Sequence, residues 1–466
     1  MSPDPRSGPL GRVHAFALRL RARARYAAGH APARIAIMVF AVATLVFTGL
    51  LMLPAASADG TLTELPDALF TAVSAVTVTG LTTVDTGGHW SMFGQVVILA
   101  AIQTGALGVV TIALLLAMMV TRKLGVSGRV FAKESIGADG IGGVGRLLRV
   151  VVTTTFLIEA ALALVLVPAF IAAGESFPLG LWHGIFYAIS AFGNAGFTPH
   201  VGGLAAFAGN PFVLTPIAVG VFVGSFGFPV FLNLIRARWT RHKWTLHTKL
   251  TLITTTVLFG LGALAWAVFE WSNPDTVGGA PWWQKIGHAL FASTMLRSGG
   301  FSLVDMESST ATTMLLSDAL MFVGGGSAST AGGIKVTTLA VLFLAIVAEA
   351  KGTRHTNALG RRLPDGTLRL AISVVFLGAT LVFVAAALLT IVSDAKLDRI
   401  LFEVISAFAT CGLSVGISSE VGAFGKFVLS ALMLTGRVGP IVLASALAVR
   451  QRRELYTFPV ERPIIG

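Results

Sequence analysis

Eight stretches of this chain are apolar for long enough to cross a hydrocarbon layer about 30 Å thick. They lie near residues 35–53, 92–120, 148–172, 211–235, 249–270, 314–348, 370–392 and 424–450. No other feature narrows the fold so far. A backbone in hydrocarbon has no water to bond, so each crossing must satisfy its own amides and carbonyls, as a helix does. Charged residues make up only 12% of the sequence, where a soluble domain carries about 25%. Too few remain to cover a water-facing surface.

The net charge of +12 would point to nucleic acid in a soluble protein, but this chain has no soluble domain to carry such a patch. The charges alternate instead. Basic residues crowd Arg6–Arg34, Arg122–Arg149, Arg236–Lys249, Lys351–Arg369 and Arg450–Arg462, while acids such as Asp59, Glu64, Asp67, Asp85, Glu175, Asp275 and Glu307 fall in the connections between. Lys/Arg excess marks cytoplasmic loops, so both termini are expected inside a multi-pass protein of the plasma membrane. The run Ile35–Leu53 followed by Ala55–Ala58 has the look of a secretory signal, yet it is long for one and more spans follow, so it is read as a retained first span. The single cysteine, Cys411, excludes an intrachain disulfide.

A period of about 110 residues runs through the chain. Between the spans of each pair lies a shorter apolar stretch, too short to cross, with a Phe and then a Gly: Phe70 and Gly80, Phe186 and Gly196, Phe291 and Gly300, Phe402 and Gly412. Such a period dictates architecture. The expected fold is an all-α membrane protein of four parallel span–pore helix–span repeats around a central pseudo-fourfold pore, with eight transmembrane helices and four re-entrant pore helices. The boundaries fall at 1–34 (basic tail), 35–120 (repeat 1), 121–147 (loop), 148–235 (repeat 2), 236–348 (repeat 3), 349–369 (loop), 370–450 (repeat 4) and 451–466 (tail).

Irregular backbone at membrane depth is tolerated only inside protein or along a wet path. Four such stretches meeting at one axis would aim peptide carbonyls at a dehydrated cation, aided by the partly negative C-terminal ends of the short helices. The candidate ion-binding residues are Thr77, Val78, Thr79 and Gly80; Gly193, Asn194, Ala195 and Gly196; Arg297, Ser298, Gly299 and Gly300; and Ala409, Thr410, Cys411 and Gly412. None is acidic.

These stretches resemble the superfamily of potassium transporters that includes the Trk, Ktr and plant HKT proteins. "TVTGLTTVDTG" at Thr77–Gly87, "GNAGF" at Gly193–Phe197, "GRVGP" at Gly436–Pro440 and "ERPIIG" at Glu461–Gly466 carry the likeness over about residues 35–466, closest to the Ktr branch. The resemblance implies potassium as cargo, with sodium as a second ion that activates or permeates. It implies a homodimer in membrane lipid, gated by a cytosolic ring of KtrA-type nucleotide-binding subunits, with no nucleotide bound by this chain. In the HKT branch a serine at the first filter glycine goes with sodium preference; Gly80 here favours potassium. The third stretch departs from the family pattern, reading "RSGGF" where relatives carry "RTAGF".

The sixth span is interrupted by "GGGSASTAGG". Glycine costs about 1 kcal/mol per residue in a helix, so five glycines in ten residues should break it. The matching segment of the resembled family is an intramembrane gate, a role carried to Gly324, Gly325, Gly326, Ser327, Ala328, Ser329, Thr330, Ala331, Gly332, Gly333 and Lys335. Arg437 stands halfway along the eighth span, where an arginine costs roughly 2.5–3.5 kcal/mol to insert. A fixed charge there would oppose cation leak; the plainer reading is an ion pair with Glu159. "GIGGVG" at Gly140–Gly145 lacks a preceding strand and reads as a flexible loop rather than a nucleotide site. The histidines show no metal-ligand spacing. No catalytic motif points to an enzyme. The alternative is a sodium-coupled or sodium-permeable secondary transporter, disfavoured because the filter stretches lack the acids such porters use.

Overall fold

A computed structural model describes residues 32–123, 142–238, 240–353, 355–364 and 366–449. The tails at 1–31 and 450–466, most of the 121–147 loop and the "ERPIIG" stretch lie outside the described residues. Gly142–Gly145 open a helix rather than a loop; the apolar run that follows propagates helix back into them.

The described helices of ten residues or more are α1 (Pro32–Leu51), α2 (Leu65–Thr77), α3 (Met92–Lys123), α4 (Gly142–Ala172), α5 (Phe177–Gly193), α6 (Pro211–Gly224), α7 (Phe228–Ala237), α8 (Leu246–Glu270), α9 (Trp282–Met295), α10 (Ala311–Phe322), α11 (Val336–Ala350), α12 (Thr367–Val392), α13 (Leu397–Ala409) and α14 (Ala423–Val449). A small hairpin, Asn357–Ala358 with Arg361–Arg362, adds two short strands.

The solvent these helices expect is apolar. On α8, Thr248, Thr251 and Thr255 are buried, while Ile253, Val257, Leu261, Leu264 and Val268 are exposed. A water-soluble helix turns the other way. Phe376, Phe383 and Ile391 on α12 and Leu157 and Leu164 on α4 repeat the inversion. Arg149–Ala172, Leu246–Glu270 and Thr367–Val392 are each long and apolar enough to span by themselves. The chain is a multi-pass membrane protein.

Two spans are not continuous. The passage 314–348 is broken as expected, between α10 and α11. The fourth, expected whole over 211–235, is also broken: α6 and α7 meet at 90° across Ser225–Gly227. Gly227 takes φ 91°, a conformation open to glycine at no steric cost, and Pro229 in the first turn of α7 cannot donate to a continuing helix.

The packing is cyclic. Each short helix lies against its own long neighbours: α2 on α1 and α3, α5 on α4 and α6, α9 on α8, α13 on α12 and α14. It also meets a helix of the adjoining segment, α3 with α5, α6 with α9, α10 with α13, and α14 with α2. The last contact joins the end of the described chain to its beginning and closes the ring.

Candidate ion-passage site

The ends of α2, α5, α9 and α13 converge. After each, a residue two before the key glycine takes a left-handed φ: Val78 (56°), Asn194 (61°), Ser298 (88°) and Thr410 (47°). The glycines follow with φ 95°, 69°, 74° and 95° at Gly80, Gly196, Gly300 and Gly412. For a β-branched residue such as Val78 or Thr410 this backbone is costly; it persists because the surrounding packing leaves the residue fully buried.

The glycines sit in a closed ring. A Cβ on Gly80 would lie 2.4 Å from Ala195 O; on Gly196, 2.8 Å from Gly300 Cα; on Gly300, 2.7 Å from Cys411 O; on Gly412, 2.2 Å from Thr79 O. Each segment thus presses its glycine against the backbone of its neighbour, and the fourth meets the first. The carbonyl preceding each glycine (Thr79, Ala195, Gly299, Cys411) stands at this ring. Backbone oxygens therefore stand at the ring from all four stretches.

Three of the four helices end alike. Val78 N donates to Ala75 O and Thr79 N to Ser74 O; Asn194 N and Ala195 N pair with Ala191 O and Ser190 O; Thr410 N and Cys411 N pair with Ala407 O and Ser406 O. This double cap uses up terminal carbonyls that would otherwise be orphaned. The Ser74 and Ser406 hydroxyls accept from Gly80 N (3.0 Å) and Gly412 N (3.1 Å), whereas Ser190 Oγ donates to Phe197 O. The third stretch differs: Gly299 N bonds Met295 O, so the helical path runs on further. Arg297 turns its side chain away from the ring, donating to Thr255 O at 3.3 Å and lying over Phe222 and Phe259. Thr77 Oγ1 bonds Val73 O and Thr79 Oγ1. Gly193 and Ala409 are the last residues of α5 and α13.

The segment Val323–Lys335 packs directly beneath this ring. Gly332 N donates to Ser298 Oγ, which donates to Thr410 O. Thr330 Oγ1 reaches Phe192 O (3.2 Å) and Gly224 O (3.0 Å). The second break clasps the first: Gly326 N donates to Ser225 O and Phe228 N to Ala328 O. Ser327 Oγ meets Thr337 Oγ1, Ser329 Oγ bonds Gly326 O, and Val336 N bonds Gly325 O. Gly324 lies against Gly332 O and Gly333 against Ala409. Lys335 folds back on its own loop, donating to Ala331 O (2.7 Å) and Gly332 O (3.2 Å).

Arg437 is 3% exposed, and its guanidinium has no hydrogen-bond partner among the described residues. The ion pair with Glu159 does not form: Glu159 accepts from Gln103 Nε2 at 3.0 Å instead. The two charges sit on different helices, and an amide on α3 stands nearer to Glu159.

Sequence reasoning missed a second set of glycines. Gly105, Gly224 and Gly436 on α3, α6 and α14 would place a Cβ 2.0, 2.2 and 1.9 Å from Val76 O, Phe192 O and Phe408 O. Each of those carbonyls belongs to the residue four before its ring glycine. The signal was one glycine among several in each closing helix, easily taken for general close packing. A second omission is Glu175, His183 and His200, which converge although no ligand spacing is visible in sequence; the chain doubles back after α5 and returns His200 to that helix.

The ring, the broken spans and the lipid-facing shell suit a class: a multi-pass membrane transporter rather than an enzyme. A family model described as "TrkH: Cation transport protein" matches residues 15–453, and the chain belongs to that family. It is 36% identical to Ktr system potassium uptake protein B of Bacillus subtilis (strain 168), over 84% of this chain and 87% of the relative. It is 33% identical to the protein of the same name from Vibrio alginolyticus (93% and 94%), and 33% identical to the potassium/sodium uptake protein NtpJ of Enterococcus hirae (90% and 93%). The crystal structure of the potassium transporter TrkH from Vibrio parahaemolyticus shares the fold with a TM-score of 0.68 at 17% identity, covering 88% of this chain and 84% of that one.

Proposed function

We propose that this chain is the ion-translocating subunit of a Ktr-type potassium uptake system. Four parallel span–pore helix–span repeats surround a pseudo-fourfold pore. Potassium sheds water against the carbonyls of Thr79, Ala195, Gly299 and Cys411, and the C-terminal ends of α2, α5, α9 and α13 favour the cation. The observation that carries this reading is the closure of Gly80, Gly196, Gly300 and Gly412 into one ring.

Below the ring, Gly324–Lys335 acts as the gate. Its bonds to Ser298, Phe192 and Gly224 hold it across the passage. Arg437 adds a fixed positive charge that opposes leak. The subunit works as a homodimer in the plasma membrane, both termini cytoplasmic, regulated by a cytosolic nucleotide-binding ring of the KtrA type.

The test is rubidium and sodium flux into liposomes, with and without such a ring partner. Gly80→Ser places a Cβ against Ala195 O and should lower rubidium-over-sodium preference at least tenfold; unchanged preference would overturn the filter assignment. The likeness to a relative named for both potassium and sodium makes sodium the second ion to measure. Rubidium uptake that requires an inward sodium gradient, rather than sodium merely being present, would replace channel-like passage with coupled transport.

A further inference from the structure

We propose that Glu175, His183 and His200 form a binding site for a divalent transition-metal ion of the zinc class. Glu175 lies in the turn between α4 and α5, His183 in α5, and His200 in the stretch that follows Gly196. His183 Nδ1 is 2.7 Å from Glu175 Oε2, and His200 Nε2 is 2.7 Å from Glu175 Oε1. The two imidazole rings stand 4.0 Å apart. One ligand atom from each residue can be chosen so that all lie within 4.8 Å of one another.

Two imidazoles and one carboxylate are a zinc ligand set with room for one further ligand. They are a poor set for potassium or sodium, which favour oxygen alone, so the site is distinct from the ion path. A tetrahedral ion would hold its ligand atoms roughly 3.3 Å apart, a small retreat from the present bridged contacts. The surroundings suit the role. Tyr187 Oη lies 3.0 Å from His200 Nδ1, the nitrogen that faces away from Glu175. A partner on the far ring nitrogen fixes the orientation of a ligating histidine. Phe170 and Phe207 pack on His200, and Phe170 on His183. The three side chains are only 13–18% exposed.

The position gives the ion a consequence. His200 lies shortly beyond the second ring glycine. Its neighbour Gly202 donates to Asp85 Oδ2 at 3.1 Å, and Gly87 packs on Pro199 and His200. A metal there would fasten the stretch after Gly196 to α5 on the face that the charge pattern places outside.

The experiment titrates Zn2+ calorimetrically into the tag-free, chelator-stripped full-length chain in detergent. Melting temperature is followed in parallel, and Co2+ absorption serves as a coordination signature. The expected result is one ion per chain at micromolar or tighter affinity, a rise in melting temperature, and a Co2+ ligand-field band. His183→Ala and His200→Ala should each weaken binding at least 100-fold. Glu175→Gln, which keeps the size but turns one accepting oxygen into a donating NH2, covers the case in which a histidine variant does not fold. Wild-type binding no tighter than 100 μM would overturn the proposal. So would undiminished binding in a folded variant, or variants that lower melting temperature while Zn2+ leaves the wild type unchanged; the last would mark a purely hydrogen-bonded clamp.

Discussion

The third and fourth segments meet the same problem in opposite ways. Each must bring its closing passage up against the end of α13 and carry a positive charge there, buried at Arg437 and half-buried at Lys335. In the fourth, α14 runs unbroken, with Gly436 on Phe408 O and Arg437 buried without a hydrogen-bond partner among the described residues. In the third, the passage comes apart into Val323–Lys335, with Gly332 on Thr410 and Ala409 and Lys335 tied to Ala331 O and Gly332 O. A continuous helix satisfies its own backbone and does not need its cation to do so. A broken one must spend its cation on its own orphaned carbonyls. Under the proposed function this difference assigns rigidity and motion: the fourth segment serves as a fixed wall, and the third as a loop held shut by bonds that can be exchanged.

The largest expected effect tests that contrast with one methyl group at each site. Gly436→Ala would put a Cβ 1.9 Å from a backbone oxygen in a helix that cannot yield locally. Overpacking of this kind costs roughly 1–3 kcal/mol, so a clear fall in melting temperature and a loss of rubidium flux of about tenfold or more are expected. Gly332→Ala is just as close on paper, 1.9 Å from Thr410 Oγ1 and 2.8 Å from Ala409 O, but it lies in a loop that can shift rather than in a continuous helix. Its melting temperature should hold within about 2 °C while flux rises. Equal damage in both would end the distinction between wall and gate.

The next effect separates the two cations. Arg437→Met removes a buried charge whose desolvation costs several kcal/mol, so melting temperature should rise by roughly 2 °C or more and leak should rise with it. Lys335→Met removes the donor for two carbonyls, each costing about 1–3 kcal/mol if left unmet. It should lower melting temperature while also raising flux. Opposite thermal shifts with the same sign in flux are the expected pattern. A fall in melting temperature for Arg437→Met would show that its charge is structurally partnered after all.

What was legible beforehand follows from the range of each signal. The ring glycines stood out because a period repeats them, and the break at Gly324–Gly333 because glycine density defeats a helix locally. The break at Ser225–Gly227 was not legible, since one glycine and a nearby proline also occur in intact membrane helices. Gly105, Gly224 and Gly436 press on carbonyls of another helix, a tertiary contact that the sequence does not display. The absent Glu159–Arg437 pair shows the same limit. Two buried charges in sequence invite pairing, but Gln103 had already taken one of them. His183 and His200 converge only because the chain returns after Gly196.

The smallest expected effect is the most direct probe of how wall and gate communicate. Ser298 holds the left-handed position of the third strand, at the residue where the other three strands have Val, Asn and Thr. Its hydroxyl donates to Thr410 O at 3.0 Å and accepts from Gly332 N at 3.2 Å. One oxygen therefore joins the third strand, the fourth strand and the loop below them. Ser298→Ala keeps the backbone and deletes only that oxygen, a loss of about 1 kcal/mol for such bonds. If the loop is held closed through this junction, the open population should grow by up to roughly fivefold, and flux with it. The same substitution in a chain already carrying Lys335→Met should then add little, because the loop would be released by either route. Simple multiplication of the two effects would instead make Ser298 a strand-packing residue with no part in holding the loop.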